Sequence, residues 1–253
     1  MKGRRKGSGK ARATARRVAV IPIYNEAPTV IGVLSEVAKR VDRVIAVDDG
    51  STDDTPRLLR SWAGERPHVT LVRLPRNVGM AGALKEGFLT AERMLRRGTL
   101  NGRDILINID ADGQHRPEYI PAICERMERG NWDIVLTRRD FSKYPLYKRL
   151  GNRFLSAVAR VLSGHPYRDV ESGLRFMRAR VLPSLLDYFT GWRYSCAQEI
   201  AIITALSGFR VDNNFRVKIA YYRPGTTIRD GFIVLLMSFY TWLRFRQGRK
   251  VRR

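Results

Sequence analysis

Asp110 and Asp112, two carboxylates with one residue between them, are the side chains in this sequence best suited to bind a divalent cation. They follow a mostly apolar run, residues 105–109 (Ile-Leu-Ile-Asn-Ile), which is typical of a buried strand. Mg²⁺ and Mn²⁺ prefer oxygen ligands and often share them with phosphate groups. Gln114 adds a neutral oxygen and His115 an imidazole close by. The pattern therefore predicts a Mg²⁺ or Mn²⁺ site that handles a phosphate-bearing substrate.

Polar residues also follow the other strands that we predict in the first half of the chain. Short apolar runs alternate with helical segments between residues 17 and 137, which predicts a mostly parallel α/β sheet with helices on both faces. The predicted strands are residues 18–23, 43–47, 69–74, 104–109 and 133–137. The polar clusters that follow them, in the same order, are residues 24–26, 48–49, Asn77 with Gly79, 110–115 and 138–139. Ligands bind at the carboxyl ends of the strands in such sheets, so we expect these clusters to form one site.

The second half of the chain is less regular. Its patterns predict helices over residues 147–162 and 196–206 and strands over 172–177 and 211–217. A nearly continuous apolar segment, residues 231–243, precedes a basic end and is too short to span a bilayer. Two placements stay open for it. An aromatic-rich helix followed by cations suits the plane of a membrane interface, and the same helix also suits packing against the core.

The net charge of +23 is concentrated at the two ends of the sequence. Residues 1–17 carry eight Lys or Arg and residues 244–253 carry six, and neither segment contains an acid. Such clusters attract nucleic acid or an anionic membrane, but no zinc finger, RNA-recognition motif or helix-turn-helix signature supports a nucleic-acid-binding protein. The two cysteines form no disulfide framework, and the first residues lack the apolar core of a signal peptide. We therefore expect a cytoplasmic location.

Several longer segments resemble a known enzyme family. Residues 21–26 (Ile-Pro-Ile-Tyr-Asn-Glu), 47–51 (Val-Asp-Asp-Gly-Ser), 77–83 and 108–115 (Asn-Ile-Asp-Ala-Asp-Gly-Gln-His) are similar, in order and spacing, to the signature segments of family-2 glycosyltransferases. The resemblance covers residues 18–137 and implies the GT-A fold, a Rossmann-like α/β architecture. Residues 172–176 and 222–227 further resemble polyprenyl-phosphate glycosyltransferases, of which dolichyl-phosphate mannose synthase is the best-known example.

The resemblance implies a role for particular residues. Those expected to hold the nucleoside are Pro22, Tyr24, Glu26, Val47, Asp49 and Ala111. Asp110, Asp112 and Gln114 would gather the metal and the diphosphate, and Arg138 would contact the phosphates of the donor or the acceptor. Candidates for the acceptor side are Lys148 (or Arg149), Arg223 and Arg229. These features divide the chain into a basic disordered tail (residues 1–16), a GT-A catalytic domain (17–227) and an amphipathic interfacial helix with a basic tail (228–253).

The acceptor decides which further residues are needed. A lipid phosphate is mostly dianionic at neutral pH and needs no catalytic base. The resemblance favours this case: an inverting transfer of mannose from GDP-mannose to dolichyl phosphate, by an enzyme bound peripherally to the cytoplasmic face of an anionic membrane. A sugar hydroxyl acceptor, with UDP-glucose or another donor, would need a carboxylate base. Glu199 is the candidate for that role, although an acid in the first turn of a helix is also favoured by the helix dipole.

Overall fold

The structure is a computed structural model that describes residues 14–64, 66–142, 144–219 and 227–251. Its strands are β1 (Arg17–Ile23), β2 (Arg43–Asp48), β3 (Val69–Arg73), β4 (Ile105–Asn108), β5 (Ile134–Leu136), β6 (Arg138–Arg139), β7 (Arg175–Arg178), β8 (Val211–Asp212) and β9 (Arg216–Val217). Its α-helices are α1 (Val30–Ala38), α2 (Thr55–Gly64), α3 (Met80–Arg96), α4 (Ile120–Gly130), α5 (Leu146–Ser163), α6 (Leu182–Leu186), α7 (Cys196–Leu206) and α8 (Ile228–Val251).

The centre of the fold is a seven-stranded sheet in the order β3-β2-β1-β4-β7-β5-β8. Strands β1 to β4 run parallel, and their apolar runs are continuous because helices bury both faces of the sheet. One core lies under α1, α2 and α4, and the other lies under α3, α6 and α7. The expected α/β sheet with helices on both faces is therefore confirmed, and with it the expected GT-A-like architecture.

Strand β7 is the feature of the sheet that the sequence pattern does not reveal. It runs antiparallel between β4 and β5, so the fourth and fifth predicted strands are not neighbours. The chain bends after β5, and β6 leaves the main sheet to pair with β9. The predicted strand 211–217 is likewise divided, because β8 joins the main sheet and β9 joins β6. Strand β7 thereby brings the segment before it next to the end of β4.

Helices α5 and α8 form an outer layer that packs on α7 and on each other. The inner side of α8 joins the core through buried Val234 and Phe245, and the ring of Phe245 lies 4.7 Å from that of Tyr188. Its outer side exposes large apolar residues such as Phe232 and Leu236. The predicted packing of this helix against the core is therefore confirmed for its inner side. Its outer side is apolar and exposed. None of the described helices is long and apolar enough to cross a membrane.

Candidate active site

Asp110 and Asp112 lie at the carboxyl end of β4. The Oδ1 atom of Asp110 is buried and has no hydrogen-bond partner among the described residues. Burial, and after it the negative charge of Asp112, raises the pKa of Asp110 to about 6. A divalent cation would give the buried oxygen a partner and would offset the repulsion between the two carboxylates. The residues present thus fit a bound Mg²⁺ or Mn²⁺.

Gln114 is turned toward Asp112. Gly113, with φ of 75°, makes the tight turn that allows the backbone N–H of Gln114 to donate to Asp112 Oδ1 at 3.0 Å. The side-chain amide of Gln114 donates to the other carboxylate oxygen of Asp112. In the described part of the chain, no third His, Cys, Asp or Glu completes a metal cluster with this pair. Gln114 stays a predicted metal ligand.

The segment before β7 passes directly beside Asp110. An atom added as Cβ on Gly173 would lie 1.9 Å from Asp110 Oδ2 and 3.0 Å from His115 Nε2, so only glycine leaves room for the carboxylate. The backbone N–H of Gly173 donates to His115 Nε2 at 3.2 Å. Burial, and then the charges of Arg139 and Arg175, lower the pKa of His115 to about 3. His115 is therefore neutral, and its Nε2 atom binds the backbone instead of facing a metal.

Arg175 is a site residue that the sequence reasoning did not select. It is buried opposite Asn108 in the pairing of β4 with β7, and it donates to Asn108 Oδ1 at 2.7 Å. Its Nε atom is buried and unpartnered among the described residues, in the same cavity as Asp110. A guanidinium with a free donor beside the metal carboxylate is suited to bind a phosphate oxygen. The one available signal was its place in the Ser-Gly-Leu-Arg-Phe motif.

The predicted nucleoside-binding residues surround the carboxyl ends of β1 and β2, but several already have protein partners. Asp49 accepts hydrogen bonds from the backbone N–H groups of Val78 at 2.8 Å and Gly79 at 2.9 Å, so it shapes the glycine-bearing loop. Burial raises the pKa of Asp49, against the effect of these two hydrogen bonds. Pro22 and Val47 are neighbours in the β1–β2 pairing and are buried in the sheet. They can contribute only backbone groups and shape.

The three other predicted nucleoside-binding residues lie in loops: Tyr24 and Glu26 follow β1, and Ala111 follows β4. Tyr24 is 42% exposed, which leaves its ring accessible to a base. The hydroxyl of Thr29 lies 2.9 Å from Glu26 Oε2 and 3.0 Å from the carbonyl oxygen of Ala111. This hydroxyl connects the loop after β1 to the metal-binding loop after β4. The structure thus brings the two predicted groups of residues together.

Arg139, not Arg138, lines the cavity. The two residues are adjacent in β6, so their side chains point to opposite sides. Arg139 donates to Asp169 Oδ1 at 3.0 Å and to Asn152 Oδ1 at 2.7 Å. Burial and the nearby charges of Arg216 and Arg168 lower the pKa of Arg138, which indicates that its guanidinium faces these cations. Arg139 is thus already paired with Asp169, and the phosphate contact of Arg138 stays a prediction.

A cavity of about 740 Å³ begins at Asp110 and Gln114 and extends between α5 and α8. Its far end is lined by apolar side chains of both helices, Phe154, Leu155, Phe232, Val234 and Leu235. Of the predicted acceptor-side cations, Lys148 lines this cavity, whereas Arg149 and Arg229 are exposed and do not. Arg223 lies outside the described residues.

Glu199 does not line the cavity and is not arranged as a free base. Its carboxylate is fully buried and accepts hydrogen bonds from the backbone N–H and hydroxyl of Thr190 and from the hydroxyl of Ser195. These bonds fix the loop that precedes α7. The carbonyl of Arg193 in this loop accepts the backbone N–H of Ala81, at the start of α3, at 2.8 Å. Glu199 therefore holds the loop against the nucleotide side of the site.

This arrangement, a carboxylate pair suited to a divalent cation at the carboxyl end of a parallel strand, beside a cavity lined by Arg175, agrees with the sequence match. The model of glycosyl transferase family 2 matches residues 18–200. The chain belongs to this family. It is a glycosyltransferase, as the resemblance implied.

Named relatives cover most of the chain. One is the UDP-N-acetylglucosamine–dolichyl-phosphate N-acetylglucosaminyltransferase of Methanococcus voltae, 27% identical over 91% of this chain and 96% of its own length. Another is the undecaprenyl-phosphate mannosyltransferase of Micrococcus luteus, 29% identical over 78% of this chain and 80% of its own.

Two solved structures share the fold at lower identity. Glucosyl-3-phosphoglycerate synthase of Mycobacterium tuberculosis, solved with Mn²⁺ and UDP, superposes with a TM-score of 0.63 at 18% identity, over 92% of this chain and 80% of that one. The mannosyltransferase PcManGT of Pyrobaculum calidifontis, solved with GDP-Man and Mn²⁺, has a TM-score of 0.57 at 19% identity, over 94% of this chain and 64% of that one.

Proposed function

We propose that this glycosyltransferase moves a sugar from a nucleoside diphosphate to a polyprenyl phosphate, such as dolichyl phosphate, at a membrane surface. The observation that carries the proposal is the cavity, which joins Asp110 and Gln114 after β4 to apolar side chains of α5 and α8. A polyprenyl phosphate has the same division into an anionic head and an apolar chain. The relatives named for dolichyl-phosphate and undecaprenyl-phosphate acceptors support this substrate class.

The first donor candidate is GDP-mannose. A relative named as a mannosyltransferase and a structural neighbour solved with GDP-Man and Mn²⁺ support it. UDP sugars are the alternative, because another relative is named for UDP-N-acetylglucosamine. The exposed ring of Tyr24 offers a stacking surface to either base.

The proposed mechanism assigns each group of side chains one task. Asp110 and Asp112 would hold Mg²⁺ or Mn²⁺, which would neutralise the charge that develops on the departing nucleoside diphosphate. Arg175 and Lys148 would hold the acceptor or donor phosphates in the cavity. A phosphate oxygen forms the new bond to the sugar's C1 from the side opposite the breaking C1–O bond, whose electrons leave with the diphosphate. The configuration inverts, and no proton has to be removed from the acceptor because it is dianionic.

The outer sides of α5 and α8 support a location on a membrane. Both helices bury one side and expose another that is also apolar, which is unusual for a helix facing water. The outer apolar residues are Leu146, Tyr147, Leu150, Phe154 and Val161 of α5 and Phe232, Leu236, Phe239, Tyr240 and Leu243 of α8, each between 46% and 82% exposed. They border the apolar end of the cavity, where a lipid-borne acceptor would enter.

Charge favours an anionic bilayer over a second copy of the chain as the surface that covers these helices. The sequence of α5 contains no acid, and that of α8 contains one, Asp230, which accepts hydrogen bonds from Thr227. Two copies meeting through these helices would bring like charges together, whereas anionic lipids would attract them. The two buried, unpaired cysteines suit a reducing compartment, so we assign the enzyme to the cytoplasmic face.

Transfer assays test the reaction directly. The full chain is incubated with GDP-mannose, UDP-glucose or UDP-N-acetylglucosamine, with Mg²⁺ or Mn²⁺, in the presence and absence of a polyprenyl phosphate. We expect a lipid-linked sugar from one donor, dependent on both metal and lipid. Absence of transfer from every donor by folded protein would refute the proposal, and transfer to a sugar hydroxyl instead would support the alternative acceptor class.

Liposome flotation tests the membrane surface. We expect the protein to float with anionic vesicles and the double variant Leu150→Asp/Leu236→Asp to remain in the soluble fraction, because neither residue lines the cavity and each loses about 1.5 kcal/mol or more of apolar burial. The double variant Ser61→Asp/Ala122→Asp is the matched control, since it adds the same two charges at exposed positions of α2 and α4, on the opposite face of the sheet. If the double variant floats as well as the control, these helices do not contact the bilayer.

A further inference from the structure

Glu171 is a carboxylate in the cavity wall that the mechanism above does not use. It belongs to the segment that passes beside Asp110, and alternate residues of this segment, Glu171, Gly173 and Arg175, all line the cavity. The residues between them face the protein. Ser172 bonds to Thr137, and Leu174 is fully buried in the core. Glu171 therefore lines the same cavity as Asp110 and Arg175.

The partners of Glu171 leave one of its oxygens available. Its Oε1 atom accepts the side-chain amide of Gln198 at 2.8 Å. No other side chain in the described part of the chain bonds to its carboxylate, and neither Arg139 nor Arg175 forms an ion pair with it. Glu171 is partly exposed where it lines the cavity, so its second oxygen is open to a donor from a ligand there.

The chemistry of a carboxylate limits which part of the ligand it contacts. An ionised carboxylate only accepts hydrogen bonds, so it repels the phosphates of the donor and the acceptor. The groups in the proposed substrates that can donate near C1 are the hydroxyls of the transferred sugar. Two residues span at most about 7 Å, so Glu171 lies within about that distance of the glycine that touches Asp110. That distance is about the width of a sugar ring attached to the metal-bound diphosphate.

We propose that Glu171 accepts hydrogen bonds from hydroxyls of the transferred sugar and thereby determines which sugar the enzyme accepts. The inference rests on the proposed function, because it requires a nucleotide sugar in this cavity. Burial raises the pKa of Glu171, and the Gln198 hydrogen bond and the charges of Arg139 and Arg175 oppose this rise. Donors from a sugar would stabilise the ionised form further.

Binding measurements separate the contribution of the sugar from that of the nucleotide. Isothermal titration calorimetry of the full chain, in the presence of Mn²⁺, gives the affinities for GDP and GDP-mannose and for UDP, UDP-glucose and UDP-N-acetylglucosamine. In Glu171→Gln, we expect the affinity for the bound nucleotide sugar to fall about 10- to 100-fold, as for a lost hydrogen bond to a charged group, with the affinity for the bare diphosphate unchanged. Glu125→Gln makes the same chemical change at an exposed position of α4 and should alter neither affinity.

Each outcome bears on a different claim. Equal losses of affinity for the nucleoside diphosphate and for the nucleotide sugar would show that Glu171 only supports the structure through Gln198. That result would overturn the inference. Unchanged affinities in a folded Glu171→Gln variant would overturn it as well, while leaving the proposed function intact. If the wild-type chain binds no nucleotide sugar, the proposed function fails first and the inference with it. A changed ranking of the sugars in Glu171→Gln, with transfer retained, would be the strongest support.

Discussion

Replacing Gly173 by alanine is predicted to damage the metal site without unfolding the protein. The φ of Gly173 is not among the positive values in the described backbone, so alanine is not strained there by its backbone conformation. The difficulty is space, because the added methyl would lie 1.9 Å from Asp110 Oδ2, whereas ordinary contact begins at 3.4 Å. The carboxylate must therefore move by the difference between these distances, about 1.5 Å if it alone adjusts.

The displaced group is the end of a side chain, so the effect falls on function more than on stability. A misplacement of about 1 Å at a reacting centre can cost about 100-fold in rate. We therefore expect kcat/KM of Gly173→Ala to fall about 100-fold, or about 2.7 kcal/mol of transition-state stabilisation, together with weaker Mn²⁺ binding. The loss in unfolding free energy should stay below about 2 kcal/mol.

Gly151→Ala is the matched control. Gly151 lines the same cavity, but no atom lies within 4 Å of the position of its added Cβ. Because it lies within α5, alanine there should stabilise the protein by about 0.4–1 kcal/mol and leave Mn²⁺ affinity unchanged. The reasoning is refuted if Gly173→Ala keeps kcat/KM within fivefold of wild type, or if both variants lose activity equally.

Three further outcomes are expected. Because the pKa of Asp110 is about 6, metal affinity measured by titration should fall about tenfold per pH unit below that value. The folded state holds this proton more tightly than the unfolded state does. The metal-free protein should therefore unfold more easily as pH rises from about 4 to 6. In urea unfolding, Arg139→Met should cost about 3–5 kcal/mol by leaving Asp169 buried without its cation, whereas Arg138→Met should cost less than about 1 kcal/mol. Glu199→Gln should lower stability by about 1–3 kcal/mol and activity toward either acceptor class, so an effect confined to hydroxyl acceptors would contradict its structural role.

The sequence was sufficient for the parallel half of the sheet. Strands β1 to β4 are mostly apolar runs separated by helical patterns, and both local signals agree with the final structure. The position of β7 was not predictable in this way, because the sequence of a four-residue strand does not show which strands it pairs with. Its pairing depends on contacts such as Asn108 with Arg175, which are 67 residues apart.

The same contrast applies to the site. Asp110 and Asp112 could be selected because the end of a parallel strand already specifies their surroundings. Choosing between Arg138 and Arg139 required the register of β6 with β9, since adjacent strand residues face opposite sides. No sequence pattern selected Glu171, because its place in the cavity depends on β7, which lies between β4 and β5 in the sheet although it follows both in the chain.

That insertion also sets an order in which the protein can fold. Until residues 175–178 are available, β4 has an unpaired edge, and β5, which pairs only with β7 and β8 in the described sheet, has no partner. The parallel half of the sheet can form from contacts close in the chain, whereas the cavity wall must wait for a long loop to close. During synthesis, a chain that stops before β7 would therefore expose the edge of β4, the strand that leads to Asp110, and such edges are prone to aggregate.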